Sequence, residues 1–293
     1  MLLVFATVAY SRYSTTYDSR AAWIAIGIEV ILVVAIGGNY GTRLPMHWTQ
    51  GENLEATRGG NPRVWLVAHI DSKSQFVSTA VRTLGVALLV AAMLGLGLLE
   101  PQGPVAIAKI LVGLAAIGGG ILAMCVVGDR SDGAADNASG VATVLTAAAL
   151  LSRETPVGVL ITDAEELSLA GARHWVRHRP RYDDLNHRRI AINCDTIDDD
   201  GRWTVFHYAG FRPILGRRLG AKLERARVMH PLPGVLTDSV ALRWTAWDTV
   251  TLSRGSLRTL GRIHTSRDSL ANLRGTAIDT AARAIAELVE ELT

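Results

Sequence analysis

The sequence has little cysteine, little aromatic character and little charge of either sign. Its two cysteines, Cys125 and Cys194, lie far apart in 293 residues, which excludes the disulfide framework of small secreted domains. Aromatic residues make up 6% of the chain, and the net charge of +3 comes from scattered arginines without a basic stripe. Because nucleic-acid-binding surfaces concentrate basic and aromatic residues, we expect no nucleic acid partner.

Long apolar runs take the place of the missing charge in the first half of the chain. Residues 21–38 are apolar except for Glu29 and are just long enough to span a bilayer. Residues 83–99 are uncharged, and residues 104–128 carry only Lys109. A break rich in Pro and Gly separates these two runs, which predicts a transmembrane helical hairpin. We therefore expect an integral, multi-pass membrane protein in contact with the lipid bilayer.

Predicted strands and helices alternate in the rest of the chain. Short, apolar, β-rich runs predict buried strands at residues 63–70, 157–162 and 189–194. Helical patterns follow at residues 167–178, 211–227 and 275–292. This alternation predicts an α/β three-layer sandwich with a mostly parallel central sheet, in addition to the transmembrane helices.

The apolar runs and the strand–helix pattern together divide the chain into three parts. An N-terminal membrane segment and polar linker is followed by an α/β domain that the helical hairpin interrupts. The parts are the segment and linker at residues 1–59, the α/β domain at residues 60–75 and 128–293, and the inserted hairpin at residues 76–127.

Six side chains of metal-binding type lie at the ends of predicted strands or in loops beyond them. They are His69, Asp136, Glu165, Glu166, Asp195 and His264. Because functional groups in such sheets collect beyond the carboxyl ends of the strands, we expect these side chains to lie together. Two imidazoles and several carboxylates without a thiolate suit zinc or a similar divalent ion.

Asp136 stands in the middle of residues 133–140, GAADNASG, directly before an apolar run of helical character. Asn137 and Ser139 are good helix caps, so this stretch alone is also typical of an ordinary capped turn. If the two oxygens of Asp136 bridge two cations, each ion takes one histidine and one further carboxylate. Metal sites with three protein ligands and an open position are typical of catalytic zinc. One of the two adjacent glutamates is then not a ligand and is available as a general base.

The motifs AHID, GAADNASG, DAEELSLAG, NCD and IHTSRD occur in the order found in a known family. Over residues 60–75 and 129–293 the sequence resembles the co-catalytic di-zinc aminopeptidases of the aminopeptidase S and Y type. Each motif alone is weak, and the combination is specific. The resemblance implies the zinc exopeptidase fold, two zinc ions per chain and a peptide substrate.

The resemblance also implies which residues hold the metal ions. Asp136 matches the ligand that bridges the two zinc ions. His69 and Asp195 complete one site, and Glu166 and His264 complete the other.

Further roles follow from the same resemblance. Glu165 matches the catalytic general base, and Asp71 matches the carboxylate that orients the first histidine. Asp268 and, less closely, Asp238 match other acidic positions of the family. The Asp136–Asn137 peptide bond is cis in relatives, and we expect the same here.

Two alternatives to the peptidase remain open. Glutaminyl cyclases share this skeleton, and AHIDSK is close to their first motif, but they use a single zinc and lack the DN-x-SG form. We therefore favour a membrane-anchored zinc exopeptidase, which the resemblance implies to be an aminopeptidase, over a glutaminyl cyclase-like acyltransferase or a non-catalytic membrane scaffold. No residue can be assigned to recognise either peptide terminus, so the residues themselves leave aminopeptidase and carboxypeptidase activity both open. The sequence also indicates no oligomeric state.

The charges beside the hairpin predict its orientation. Both ends of the hairpin lie on the side of the α/β domain, since His69 and Asp136 flank it. Lys73, Arg82 and Arg130 lie on that side, whereas the tip carries no positive charge. The positive-inside rule then places the α/β domain in the cytoplasm.

Overall fold

The computed structural model describes residues 50–99, 104–125, 127–178, 189–208, 213–231, 235–243 and 247–293. The predicted membrane span at residues 21–38 and the tip of the predicted hairpin lie outside the described residues. The described part of the chain divides into two compact units. The smaller unit contains residues 75–127, and the larger contains residues 50–74 together with residues 128–293.

The described strands form one large sheet and one small one. In chain order they are β1 (Leu54–Arg58), β2 (Val64–His69), β3 (Ser74–Gln75), β4 (Val127–Gly128), β5 (Val157–Thr162), β6 (Ile190–Ile197), β7 (Arg202–His207), β8 (Arg227–Met229) and β9 (Asp248–Gly255). The large sheet has the order β1-β5-β2-β6-β9-β7-β8. Its four central strands are parallel, while β1 and β7 pair antiparallel with their inner neighbours. The prediction of a mostly parallel sheet is confirmed, and the two antiparallel pairings toward its margins make the sheet mixed.

The described helices surround this sheet or lie in the smaller unit. They are α1 (Thr79–Leu98), α2 (Val105–Ala123), α3 (Ser139–Leu150), α4 (Ala170–His178), α5 (Ile214–Ala221), α6 (Asp238–Arg243), α7 (Leu257–Arg262) and α8 (Thr276–Leu292). A 3₁₀ turn at Leu270–Asn272 lies between α7 and α8.

Strand β2 shows why the sheet is covered on both faces. Its side chains alternate between faces, so Val64 and Leu66 enter one apolar cluster with α3, α5 and α8. Trp65 and Val67 enter the other cluster, with Trp175 of α4 and with α6. All six residues of the strand are buried, as expected for a parallel strand with helices on both sides. The predicted three-layer α/β sandwich is therefore confirmed.

The margins of the sheet differ from the sequence-based prediction. Residues 54–58, placed in the polar linker, form β1 and pair with β5. Their side chains are mostly exposed, so the strand is held by backbone hydrogen bonds and carries no apolar pattern. The helix predicted at residues 211–227 is shorter and ends at Ala221. Arg227, the last residue of the predicted helix, instead begins β8. A strand of three residues is too short to give a periodic signal.

Helices α1 and α2 of the smaller unit pack against each other through small residues. A side chain on Gly118 would place its Cβ 2.7 Å from the carbonyl oxygen of Gly85. Leu89, Ala92 and Ala115 form the buried cluster between the two helices. Small residues at such a contact let two helix backbones approach closely, as they do in membrane helix pairs.

The two helices turn most of their apolar surface outward. They have 20 and 19 residues, which at 1.5 Å per residue gives lengths of about 30 Å. In the most apolar 18-residue stretch of α1, only 22% of the residues are buried, and in that of α2 only 11% are buried. Leu94 and Ile110 are among the exposed apolar side chains. Both helices are long and apolar enough to cross a bilayer.

The chain leaves the larger unit and returns to it at neighbouring points. Strands β3 and β4 form a small sheet of their own. The hydroxyl of Ser74 accepts a hydrogen bond from the backbone N–H of Arg130 at 2.8 Å. The two ends of the α/β unit that flank the hairpin are therefore fixed to each other.

Candidate metal centre

The described part of the chain contains every site residue that the sequence predicts. They are His69 at the end of β2, Asp71 just beyond it, Asp136 in the loop before α3, Glu165 and Glu166 in the turn after β5, Asp195 within β6, and His264 in the loop after α7. These positions share the carboxyl edge of the parallel strands, as the sequence analysis expects.

The six metal-binding side chains form two groups. His69, Glu165 and Asp195 make the first group, and Asp136, Glu166 and His264 make the second. Within each group the possible ligand atoms lie within 4.8 Å of one another. The first group includes Glu165, which the family resemblance assigns as the general base.

Asp136 lies between the two histidines. Its Oδ1 is 3.3 Å from Nε2 of His69, and its Oδ2 is 3.0 Å from Nε2 of His264. Each oxygen of one carboxylate therefore faces a different group. Nε2 of His264 is also 2.7 Å from Oε1 of Glu166, so three possible ligand atoms converge in the second group.

The backbone of the Asp136 loop is held by the carboxylate of Asp268. One oxygen of Asp268 accepts a hydrogen bond from the N–H of Ala135 at 2.7 Å, and the other accepts from the N–H of Asp136 at 3.2 Å. The loop begins at Gly133, whose φ of 64° is a left-handed conformation that suits glycine. The Asp136–Asn137 peptide bond is cis, as expected from the resemblance.

Asn137 ties the same loop to the end of β6. Its Nδ2 donates to the carbonyl of Cys194 at 2.9 Å, and its Oδ1 accepts from the N–H groups of Gly140 and Thr196, both at 3.1 Å. A side chain at Gly140 would place its Cβ 2.5 Å from the carbonyl oxygen of Cys194. Gly140 therefore permits this close contact, and Asn137 holds it together in addition to the capping role that the sequence suggests for Asn137.

Asp71 fixes the turn that carries the two glutamates. Its two oxygens accept the backbone N–H groups of Glu165 at 2.9 Å and Glu166 at 3.0 Å. Nδ1 of His69 is 3.0 Å from the backbone oxygen of Asp71. When Nδ1 carries the hydrogen, it donates to this oxygen and leaves Nε2 as a possible ligand atom. Ala164, with a φ of 54°, shows that this turn is strained.

Lys73 makes a contact that the sequence analysis does not anticipate. Its Nζ forms an ion pair with Oε2 of Glu166, while Oε1 of the same carboxylate faces His264. In the sequence, Lys73 is notable only as a positive charge beside the hairpin. The position of Lys73 in AHIDSK, two residues after Asp71, indicates that it lies near the site. Which group its side chain contacts depends on the fold.

The acidic groups of the centre repel one another. Burial raises the pKa of Glu165 well above its usual value, and the carboxylates of Asp195 and Asp238 add to this effect. Burial, together with the charge of Asp136, likewise raises the pKa of Asp195 to about 7.

The histidines balance part of this negative charge. Burial opposes ionisation of Asp136, but hydrogen bonds from His264 and His69 hold its pKa well below the usual value. Burial lowers the pKa of His264, but Asp136 and Glu166 outweigh this effect and raise the pKa to about 9. A divalent cation among these oxygen and nitrogen atoms would relieve the remaining repulsion, and the donor set fits zinc.

The sheet order, its helical layers and the two side-chain groups define an α/β protein of the zinc exopeptidase type. The model of Peptidase family M28 matches residues 53–289, and the chain belongs to this family. A comparison with curated proteins gives no match.

Solved structures of two kinds share the fold. A zinc aminopeptidase from Bacillus subtilis has 16% identity and a TM-score of 0.53, over 82% of this chain and 50% of its own. LapA aminopeptidase from Legionella pneumophila has 16% identity and a TM-score of 0.51, over 98% and 70%. Glutaminyl cyclase from Porphyromonas gingivalis has 14% identity and a TM-score of 0.52, over 99% and 97%. The chain thus spans about half the length of the Bacillus subtilis aminopeptidase.

Proposed function

We propose that this protein is a membrane-anchored, zinc-dependent exopeptidase, and that it acts as an aminopeptidase on the N-terminal bond of peptides. The position of Asp136 carries the proposal, because its two oxygens face His69 at 3.3 Å and His264 at 3.0 Å. A carboxylate shared in this way suits a pair of metal ions. Membership of Peptidase family M28 and the fold of zinc aminopeptidases support the same activity.

Five side chains would hold the two zinc ions. Asp136 is shared, His69 and Asp195 serve one ion, and Glu166 and His264 serve the other. Bound zinc supplies a Lewis acid that polarises the scissile carbonyl and lowers the pKa of the attacking water.

Glu165 is the proposed general base. Its carboxylate lies within 4.8 Å of the possible ligand atoms of His69 and Asp195, so it would be within reach of the water to be activated at this group. Its role is to accept a proton from that water and to pass it to the amine that leaves. Asp71 holds the backbone of Glu165 and Glu166, so these side chains point to their places before a peptide binds.

The outward apolar surface of α1 and α2 supports the membrane anchor. A core helix of a soluble protein buries most of its apolar side chains, whereas these helices bury a small share. The hydrocarbon core of a bilayer, about 30 Å thick, matches their length and would cover this surface. The proposed protein is therefore integral to the membrane, with lipid around residues 76–127.

The proposed catalytic unit lies on the cytoplasmic side. Lys73, Arg82 and Arg130 stand beside the hairpin ends, and positive charge is retained in the cytoplasm. A cysteine placed at position 102, in a chain with Cys125 replaced by serine, should react with an impermeant thiol reagent added to intact cells. Reaction only after lysis would reverse the orientation.

A glutaminyl cyclase-like acyltransferase is the second candidate. The Porphyromonas gingivalis enzyme matches nearly the whole of both chains in fold. Lys73, which completes the cyclase-like motif AHIDSK, also places one positive charge beside the second group. A single zinc ion would then suffice, so the number of ions separates the two candidates.

Metal analysis and two assays test the proposal. We expect two zinc ions per chain and release of amino acids from aminoacyl anilides. One zinc ion with cyclisation of an N-terminal Gln peptide would identify the cyclase instead. If the protein binds no zinc and shows neither activity, the non-catalytic scaffold is the remaining candidate.

A further inference from the structure

The carboxylate of Glu166 is divided between two partners. Its Oε1 is 2.7 Å from Nε2 of His264, inside the second group, while its Oε2 pairs with Nζ of Lys73. Both members of the ion pair are largely removed from solvent, with the side chains of Lys73 and Glu166 18% and 9% exposed. Such a pair is screened far less than a surface pair.

The two groups consequently lie in different electrostatic surroundings. Around the first group, Asp71 contacts His69, and the fully buried carboxyl group of Asp238 adds negative charge. Burial raises the pKa of Asp238 to about 6, and the charge of Asp71 adds to this effect. The second group has the ammonium of Lys73 directly on one of its carboxylates.

A second cation would compete with Lys73 for Glu166. The ammonium occupies Oε2, so Glu166 offers the group a single oxygen, Oε1. Because Nζ contacts the same carboxylate, its charge also lies within a few ångströms of any ion held by Oε1, and like charges repel at that distance.

We propose that Lys73 lowers the affinity of the Asp136, Glu166 and His264 group for a divalent ion, so that the two groups fill in order. The group of His69 and Asp195 fills first and holds its ion tightly, and the second group holds an exchangeable ion. This inference rests on the proposed metal pair, and it adds a control of metal occupancy by one residue of this chain.

Zinc titration without any activity assay tests the inference. The full chain in detergent is stripped of metal, and zinc is titrated in competition with a chromophoric chelator. We expect two unequal affinities in the wild-type chain. Lys73→Met should tighten the weaker one by about 10- to 100-fold, because the like charge beside the ion is removed, and leave the tighter one unchanged. Lys73→Arg keeps the charge and should keep the weak affinity.

Other results would overturn the inference. An unchanged or weaker second affinity in Lys73→Met shows that Lys73 does not oppose the ion. If this variant fails to fold, as judged by circular dichroism, Lys73→Gln provides the same comparison. Failure of the proposed function has a different appearance, because the wild-type chain would then bind a single zinc ion or none.

Discussion

Asp268 accepts a hydrogen bond from the backbone N–H of Asp136 at 3.2 Å, across 132 residues of sequence. Its other oxygen accepts the N–H of Ala135 at 2.7 Å. Asp268 is buried beside the loop and acts on its backbone, so it fixes the direction of the Asp136 side chain without lying in either group. The loop after His264 and the loop before α3 are thereby joined.

Removing this carboxylate should loosen the loop and weaken metal binding. Asp268→Ala leaves two buried N–H groups without acceptors, and the free energy of unfolding should fall by about 2–4 kcal/mol. Zinc content should fall with it, because Asp136 loses its support. Thermal unfolding in detergent and metal analysis measure the two effects. The exposed neighbour change Ser266→Ala is the control, and equal behaviour of both variants would contradict the role given to Asp268.

The adjacent glutamates should have separable roles. Glu165→Gln removes the proposed base but leaves the five proposed ligands, so the chain should bind two zinc ions while kcat falls by about 10²–10⁴-fold. Glu166→Gln weakens a ligand, so the second group should lose its ion as well as activity. Zinc content and turnover are measured on both variants.

A change at an exposed glutamate provides the matched control for this pair. Glu154→Gln should retain both ions and full turnover. If Glu165→Gln loses zinc while Glu166→Gln keeps two ions, the roles are reversed. Full activity in both site variants would remove the basis for the peptidase.

Stability at acid pH should depend on Asp199. Burial would raise its pKa, but the Thr276 hydroxyl and the N–H groups at the start of α8 bind its carboxylate and lower the pKa to about 2. Because the folded-state pKa lies below the ordinary 3.8, the stabilisation is fully present above about pH 4 and is lost as the pH falls toward 2.

Two substitutions test this dependence. Asp199→Asn should be less stable than wild type at neutral pH, and the difference should shrink between pH 4 and pH 2. Asp200→Asn, at the exposed neighbouring position, should follow the wild-type curve. Thermal midpoints measured at several pH values check this, and a constant gap for Asp199→Asn would contradict the assignment.

The contact between α1 and α2 should be sensitive to a single methyl group. A Cβ at Gly118 would lie 2.7 Å from the backbone oxygen of Gly85, whereas a Cβ at Gly119 would meet open space. Replacing either glycine by alanine favours the helix equally, so the difference between the variants reports the contact. Gly118→Ala should be less stable than Gly119→Ala by about 1–3 kcal/mol. Equal thermal midpoints in detergent would show that the helices do not meet there.

The sequence predicts the centre of this molecule better than its margins. His69 ends β2 and Asp195 lies toward the end of β6, and both strands have apolar runs, so the position of these residues at one edge of the sheet is readable from the pattern. Strand β1 is mostly exposed and is defined by pairing with β5, which no local pattern records. The ion pair of Lys73 with Glu166 joins side chains 93 residues apart and depends on the path of the fold.

Ser74 accepts a hydrogen bond from the backbone of Arg130, so the two ends of the larger unit that flank the insert are held together independently of the sequence between them. The entropy of closing a loop changes slowly with its length, so these paired ends can accept inserts of very different size. We therefore expect that a short soluble loop could replace the proposed membrane hairpin between these ends. In the proposed membrane protein, attachment would therefore depend on residues 76–127 and would be separable from the residues that surround Asp136.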